Sequence, residues 1–253
     1  MPQNRATPHL EHDHDDDAIR ARMAGEGGGP GYLSHGVLGA MDGSITTFTI
    51  VAGAVGGGLA GAVVVILGLA KVVADALSMA VSNYFSARSE AEEVARAWAM
   101  EDRHIEHTPE GERAELRQIL QGKGITGQTL EDAVAAVTAD RQAWIDTMIK
   151  EELHLCTETA DPWRAALATF LAFLAAGAVP LLPFLVLVDD PSRAFAISAG
   201  ITGLAFVAVG LVRGRALQSP PWRSALETLL TGTAAALVAY GIGAWLRHGQ
   251  GLA

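Results

Sequence analysis

Four acids, a histidine and a methionine recur at helical spacing in the middle of this 253-residue chain. Glu101 and His104 are three apart, as are Glu112 and Glu115; Met148 and Glu152 are four apart. Residues three or four apart share a helix face, so each pair presents two ligands in one direction. Several such helices converging would make a multi-carboxylate site for a divalent cation. Asp102 and Glu106 add a further pair beside the first. Like charges so close repel, and a bound cation relieves the repulsion. The competing reading is an ordinary solvated helix surface.

Asp42 poses a different problem, because it sits inside an apolar stretch. A carboxylate in mid-membrane costs about 2.5–3.5 kcal/mol and normally faces a cavity, a partner or an ion. Its neighbours Gly39, Gly43, Ser44, Thr46 and Thr47 are small or hydroxylated, suited to close packing or to lining a polar path. Two readings stay open: an ion-binding carboxylate, or one neutralised by Lys71 or satisfied by those hydroxyls. Lys71 and Asp75, four apart in the next apolar stretch, could form an ion pair of purely structural value. Met79 lies one turn beyond. It reads as core filler unless it faces Asp42, where a thioether beside a carboxylate would favour a borderline transition metal.

These residues must be held by two kinds of element, and the charge distribution separates them. Residues 1–30 hold six acids and three bases, and residues 88–164 hold seventeen acids and nine bases. The remaining, larger part of the chain carries only eleven charged residues, and mean hydropathy is positive. That is a membrane body with polar appendages. A bilayer core takes about 20 helical residues to cross, and 33–54, 59–84, 163–188, 194–212 and 225–246 fit. Gly56-Gly57-Gly58 turns between the first two, either as a loop between spans or within a re-entrant pair. The loop after the fourth span carries Arg213, Arg215 and Arg223 without an acid, whereas the loop after the third has one base, Arg193. The positive-inside rule then puts the N-terminus and 86–162 in the cytoplasm.

The fold class expected is an all-α membrane protein with five transmembrane helices and a cytoplasmic helical domain between helices two and three. Residues 1–30 read as a disordered acidic and histidine-bearing tail, 31–87 as helices 1–2, 88–162 as the polar domain and 163–253 as helices 3–5. Within the domain, 86–106 continues span two, Thr108-Pro109-Glu110 starts a second helix, Thr129 caps a third over 130–139, and 141–155 supplies a fourth. The chain start has no apolar core of a signal peptide, and its run His12-Asp13-His14-Asp15-Asp16-Asp17 could collect metal loosely. Cys156 is the single cysteine, which excludes an intrachain disulfide and a cysteine-based zinc site. A net charge of −10 argues against nucleic acid as a partner. P-loop, nucleophile-elbow, His-Glu-x-x-His and dinucleotide fingerprints are missing, so an enzyme or ATP-driven pump is not expected.

Several motifs in order carry a family likeness. Gly36-Val-Leu-Gly-Ala-Met-Asp42-Gly-Ser-Ile-Thr-Thr-Phe48 resembles the first-helix motif of the vacuolar iron transporter family. Ala76-Leu-Ser-Met79-Ala is similar to its second-helix Ser-Met motif, and Phe85-Ser-Ala-Arg-Ser-Glu-Ala-Glu to its exit into the cytoplasmic domain. Gln142-Ala-Trp144-Ile-Asp146-Thr-Met148 and Leu181-Leu-Pro183-Phe match further segments. The resemblance implies a homodimer of five-span chains that exports Fe²⁺ from the cytoplasm against protons, with some members carrying Mn²⁺. It implies that Asp42 and Met79 line the path at the dimer interface, and that Glu101, His104, Glu112, Glu115, Met148 and Glu152 bind metal. His104 stands where the family usually has a glutamate, and Ile149 where a second methionine is often found. Lys71 stands where members carry an acid, with Asp75 one turn later, which unsettles the proton route through that pair.

The function expected is a proton-coupled transporter of a divalent transition metal in a lipid bilayer. Fe²⁺ is the expected cargo, Mn²⁺ and Zn²⁺ are further candidates, and no resident cofactor is expected. A bacterial plasma membrane, or a vacuolar-type membrane in a eukaryote, is the expected location. The alternative is a membrane-anchored iron buffer or sensor that moves nothing. A di-iron oxidase is disfavoured because Glu-x-x-His occurs once, at Glu101 and His104, where such a centre needs it twice.

Overall fold

The computed structural model describes residues 15–23 and 32–249, and every regular element among them is a helix. Of the acidic tail run, His12, Asp13 and His14 lie outside the described residues; Asp16–Met23 forms a short helix, α1. Five helices are long and apolar enough to cross a membrane. They comprise α2 (Tyr32–Gly56), α3 (Gly61–His107), the broken helix Pro162–Val186, α9 (Pro191–Ala216) and α10 (Pro221–Gly249). Between α3 and the broken helix lie α4 (Pro109–Gly122), α5 (Gln128–Thr138) and α6 (Arg141–Glu151).

The broken helix comprises α7 (Pro162–Ala178), a 3₁₀ turn (Val179–Leu181) and α8 (Leu182–Val186). Pro180 and Pro183 cause the break, since each lacks a backbone N–H and its ring clashes with the preceding turn. Ser198 on α9 donates a hydrogen bond to the Pro180 carbonyl (2.7 Å), satisfying a polar group that lipid could not. Proline opens α4, α7, α9 and α10, where the missing donor costs nothing. Asp140, Asp161 and Asp190 cap α6, α7 and α9 through their carboxylates. Two expected boundaries shift. Gly127, at φ +66, occupies the cap position expected for Thr129, so α5 starts at Gln128; α6 stops at Glu151 rather than 155, shortly before His154 turns left-handed (φ 55).

α2 is the hub of the membrane body, packed against α3, α7, α9 and α10. Gly39 and Gly43, four apart, let its backbone touch α7. A Cβ on either would lie 2.5 Å from a carbonyl oxygen, of Thr169 or Phe173 respectively. Around this contact Val51, Val72, Ala76, Phe173, Leu181 and Phe184 form an apolar core. By contrast, within the apolar body α3 buries only a narrow stripe, Gly61, Val64, Gly68, Val72 and Ala76, and leaves Val63, Ile66, Leu67, Val73, Leu77 and Val81 exposed. An apolar face of that extent is suited to lipid or to another chain.

α3 runs 47 residues, roughly 70 Å at 1.5 Å per residue, more than twice the hydrocarbon thickness. Nothing after Gly68 weakens it as far as His107. It therefore leaves the apolar body as a rod and becomes the first helix of the polar domain. That domain has its own core of Leu116, Leu130, Val134, Trp144, Ile145, Met148 and Ile149. Ion pairs Arg141–Asp102 (2.6 Å), Arg117–Glu131 (2.8 Å) and Lys123–Glu151 (2.6 Å) tie its helices together at the rim.

Gly39→Ala should destabilise the detergent-solubilised protein by about 1–3 kcal/mol through overpacking against α7. Gly200→Ala on α9 has open space around its Cβ and should be neutral. Thermal unfolding of the pair checks this; equal stability would mean that α2 and α7 do not touch at Gly39.

Candidate metal centre

The polar domain brings Glu101 and His104 of α3 to Glu112 of α4. One ligand atom from each lies within 4.8 Å of the others, and His104 Nδ1 is 3.3 Å from Glu112 Oε1. The chain doubles back at Thr108, so the last turns of α3 face the first turns of α4. Each acid also sits one helical turn from a core residue: Glu101 from Ile105, Glu112 from Leu116 and Glu152 from Met148. Packing of Ile105, Leu116 and Met148 thus draws the acid layer inward. Glu101 and Glu112 are only 1% and 3% exposed, and the Oε2 atom of each is buried without a hydrogen-bond partner. A buried carboxylate oxygen left unpaired costs stability unless something else binds it.

The electrostatics agree. Burial, reinforced by the nearby charges of Glu112 and Glu152, pushes Glu101 up from 4.5 to about 7. Burial and the Glu115 charge raise Glu112, with His104 opposing. Burial and Glu115 raise Glu152, at the end of α6. The four acids therefore act on one another, and two of them, Glu101 and Glu112, meet at a single imidazole. Glu115 and Glu152 are exposed and border the buried pair, while His104 is half exposed. Met148 is fully buried in the apolar core.

In the membrane body Asp42 on α2 lies within electrostatic reach of Asp75 and Lys71 on α3. Lys71 and Asp75 pair along α3. Two hydroxyls beside Asp42 bond to the backbone: Ser44 donates to the Ala40 carbonyl (2.8 Å) and Thr46 to the Asp42 carbonyl (2.7 Å). Those bonds run back one turn, and Asp75 and Lys71 are the charges that act on the Asp42 carboxylate. Met79 lies half-buried against the core that contains Val72, Ala76 and Phe173.

One polar group escaped the sequence reading. The Asn83 amide meets His35 Nδ1 at 3.0 Å and donates to Thr169 Oγ1, while the Thr169 hydroxyl lies 3.3 Å from the His35 carbonyl. This joins α2, α3 and α7 where α3 leaves the apolar body. The available signal was a histidine and an asparagine within apolar stretches.

Residues 33–244 match the model of the VIT family. The chain belongs to that family. It is 32% identical to vacuolar iron transporter 1 of Oryza sativa subsp. japonica over 242 residues, 94% of this chain and 92% of that protein. It is 34% identical to vacuolar iron transporter 1 of Arabidopsis thaliana over 215 residues, 84% and 85% of the two chains. It is likewise 34% identical to vacuolar iron transporter 1 of Eucalyptus grandis over 209 residues, 81% and 83%. The family is one of transporters, not enzymes, and this member is an integral membrane protein.

Because Glu101 sits at about 7, above its ordinary 4.5, folding takes up a proton there. That contribution to stability is fully present below about 4.5 and is lost as pH rises through about 7. Without metal, stability should therefore fall between about pH 5 and pH 8, and Glu101→Gln should flatten the slope. At about 100 times its Kd, a divalent metal should restore ~2.7 kcal/mol at the alkaline end in the wild type and much less in Glu101→Gln. Melting curves with and without metal check both; a metal gain unaffected by Glu101→Gln would remove that residue from the centre.

Proposed function

We propose that the protein exports a divalent transition metal from the cytoplasm in exchange for protons, with Fe²⁺ as cargo and Mn²⁺ as a second. The observation that carries this reading is Asp42, an acid within an apolar helix, with the Ser44 and Thr46 hydroxyls beside it bonded to the backbone and with Asp75 and Lys71 of α3 within electrostatic reach. Curated relatives named vacuolar iron transporters, aligned over most of the chain, support the choice of cargo. Glu101, His104, Glu112, Glu115, Met148 and Glu152 would collect the ion, and Asp42 and Met79 would line its path. A carboxylate releases metal when protonated, so a proton arriving at Asp42 or Asp75 from the far side would discharge the ion there.

In this reading the path lies between two copies of the chain. Support comes from α3, whose sparsely buried face carries Lys71, half exposed, and Asp75 at membrane depth. Charges there are costly against lipid and are relieved by a partner. Arg213 and Arg215 at the end of α9 and Arg223 at the start of α10, with no acid between them, support placing the polar domain in the cytoplasm; the membrane proposed is a bacterial plasma membrane.

The test is Fe²⁺ uptake into proteoliposomes with an imposed pH gradient. Asp42→Ala should cut the rate at least tenfold, whereas Glu101→Gln should mainly raise the metal concentration needed for half-maximal rate. If Asp42→Ala transports at the wild-type rate, the path is misplaced. If wild type binds metal but moves none, the protein is a membrane-anchored metal buffer or sensor.

A further inference from the structure

Resting on the metal-collecting reading of the polar domain, we propose that His104 is the residue that sets metal selectivity there. Its imidazole adds a nitrogen ligand to the buried carboxylate pair of Glu101 and Glu112 and favours borderline transition ions over Mn²⁺, Mg²⁺ and Ca²⁺.

Three observations carry this. First, Glu101 and Glu112 are more than nine-tenths buried, each with an unpartnered carboxylate oxygen, and a ligand atom of each converges with one of His104 inside 4.8 Å. An acidic rim alone would have its oxygens in water. Second, the 3.3 Å between His104 Nδ1 and Glu112 Oε1 matches two ligands on one small ion. Bonds of about 2.0–2.2 Å at angles between octahedral and tetrahedral put neighbouring ligand atoms roughly 2.8–3.6 Å apart. Third, the other acids within electrostatic reach of this pair, Glu115 and Glu152, are carboxylates, so the nitrogen of His104 distinguishes the cluster chemically.

Oxygen-only sites suit Mg²⁺, Ca²⁺ and Mn²⁺, whereas imidazole suits Fe²⁺, Co²⁺, Ni²⁺ and Zn²⁺. Replacing one carboxylate by a neutral ring also lowers the formal negative charge, which weakens hard ions most because their binding is mainly electrostatic. His104 acts at one specific point: Nδ1 faces Glu112, and the ring is held on the same α3 face as Glu101, three residues before it. His107, one turn on, has its Nδ1 at 2.8 Å from the Arg103 carbonyl and faces its own backbone instead.

The experiment uses the full chain in detergent with Co²⁺, Mn²⁺ and Ca²⁺ as probes. Competition binding should give a Co²⁺-to-Ca²⁺ affinity ratio that falls at least tenfold in His104→Glu, and the Co²⁺-to-Mn²⁺ ratio should fall in the same direction. Pulsed EPR of the Mn²⁺-loaded wild type should show a ¹⁴N coupling that His104→Glu abolishes and His107→Glu retains. Ratios unchanged within twofold, a missing nitrogen coupling in metal-loaded wild type, or its loss in His107→Glu would each overturn the proposal. If wild type binds none of the three ions, the collecting reading falls with it. If selectivity shifts as expected but proteoliposomes transport nothing, only the transport reading fails.

Discussion

A single α-helix cannot flex sharply without breaking its own hydrogen bonds, and α3 has nothing past Gly68 that would license a break. Asp75 and Glu101 are 26 residues apart on it, which fixes them about 39 Å apart along the axis. One rod thus carries an intramembrane ion pair at one height and two ligands of the polar cluster at another. The remaining helices complete what α3 starts: α2 brings Asp42 to Asp75 and Lys71, and α4 brings Glu112 to Glu101 and His104. Because the rod is common to both, reorientation of α3 in the membrane would move the polar cluster as a lever.

Close helix packing in the body and acid crowding in the domain answer different needs. Within lipid there is little hydrophobic gain in bringing apolar helices together, so the Gly39 and Gly43 contact with α7 relies on backbone approach and van der Waals packing. In the domain, hydrophobic packing of Leu116, Ile145, Met148 and Ile149 supplies the stability that holds Glu101 and Glu112 in a buried, mutually repelling position. The exposed ion pairs Arg117–Glu131 and Lys123–Glu151 contribute little by comparison. The cluster is therefore a strained feature maintained by a core one turn away.

Features governed by run length or local spacing were legible in the sequence. The five apolar stretches, the continuation of the second into the polar domain and the proline-led start of α4 all appear at their expected places. The cap of α5 was not legible, because Gly127 and Thr129 both suit a helix start and only the backbone reveals the positive φ at Gly127. The spacing of Glu101 to His104 was visible, yet its meeting with Glu112 depends on the reversal at Thr108, a tertiary event. Nor could periodicity reveal that Glu112 would be buried while Glu115, on the same short helix, stays exposed. The His35–Asn83–Thr169 group needed three helices at one height, which no single segment announces.

Formal charge connects the two clusters to the divalent cargo proposed above. In the body, Lys71 pairs directly with Asp75, which among the described residues leaves one intramembrane acidic charge per chain, that of Asp42, without a direct cation partner. Two copies facing each other along α3, as proposed above, would present two such charges, enough to neutralise one divalent ion in a medium that penalises any residual charge. The polar cluster is built otherwise: two buried carboxylates meet one imidazole, with Glu115 and Glu152 within electrostatic reach of that pair, an excess suited to capture from water, where counter-ions and solvent screen the surplus. A collector with excess negative charge outside the membrane and a neutralising pair inside would concentrate the ion first. It would then carry the ion where only a charge-matched site can hold it.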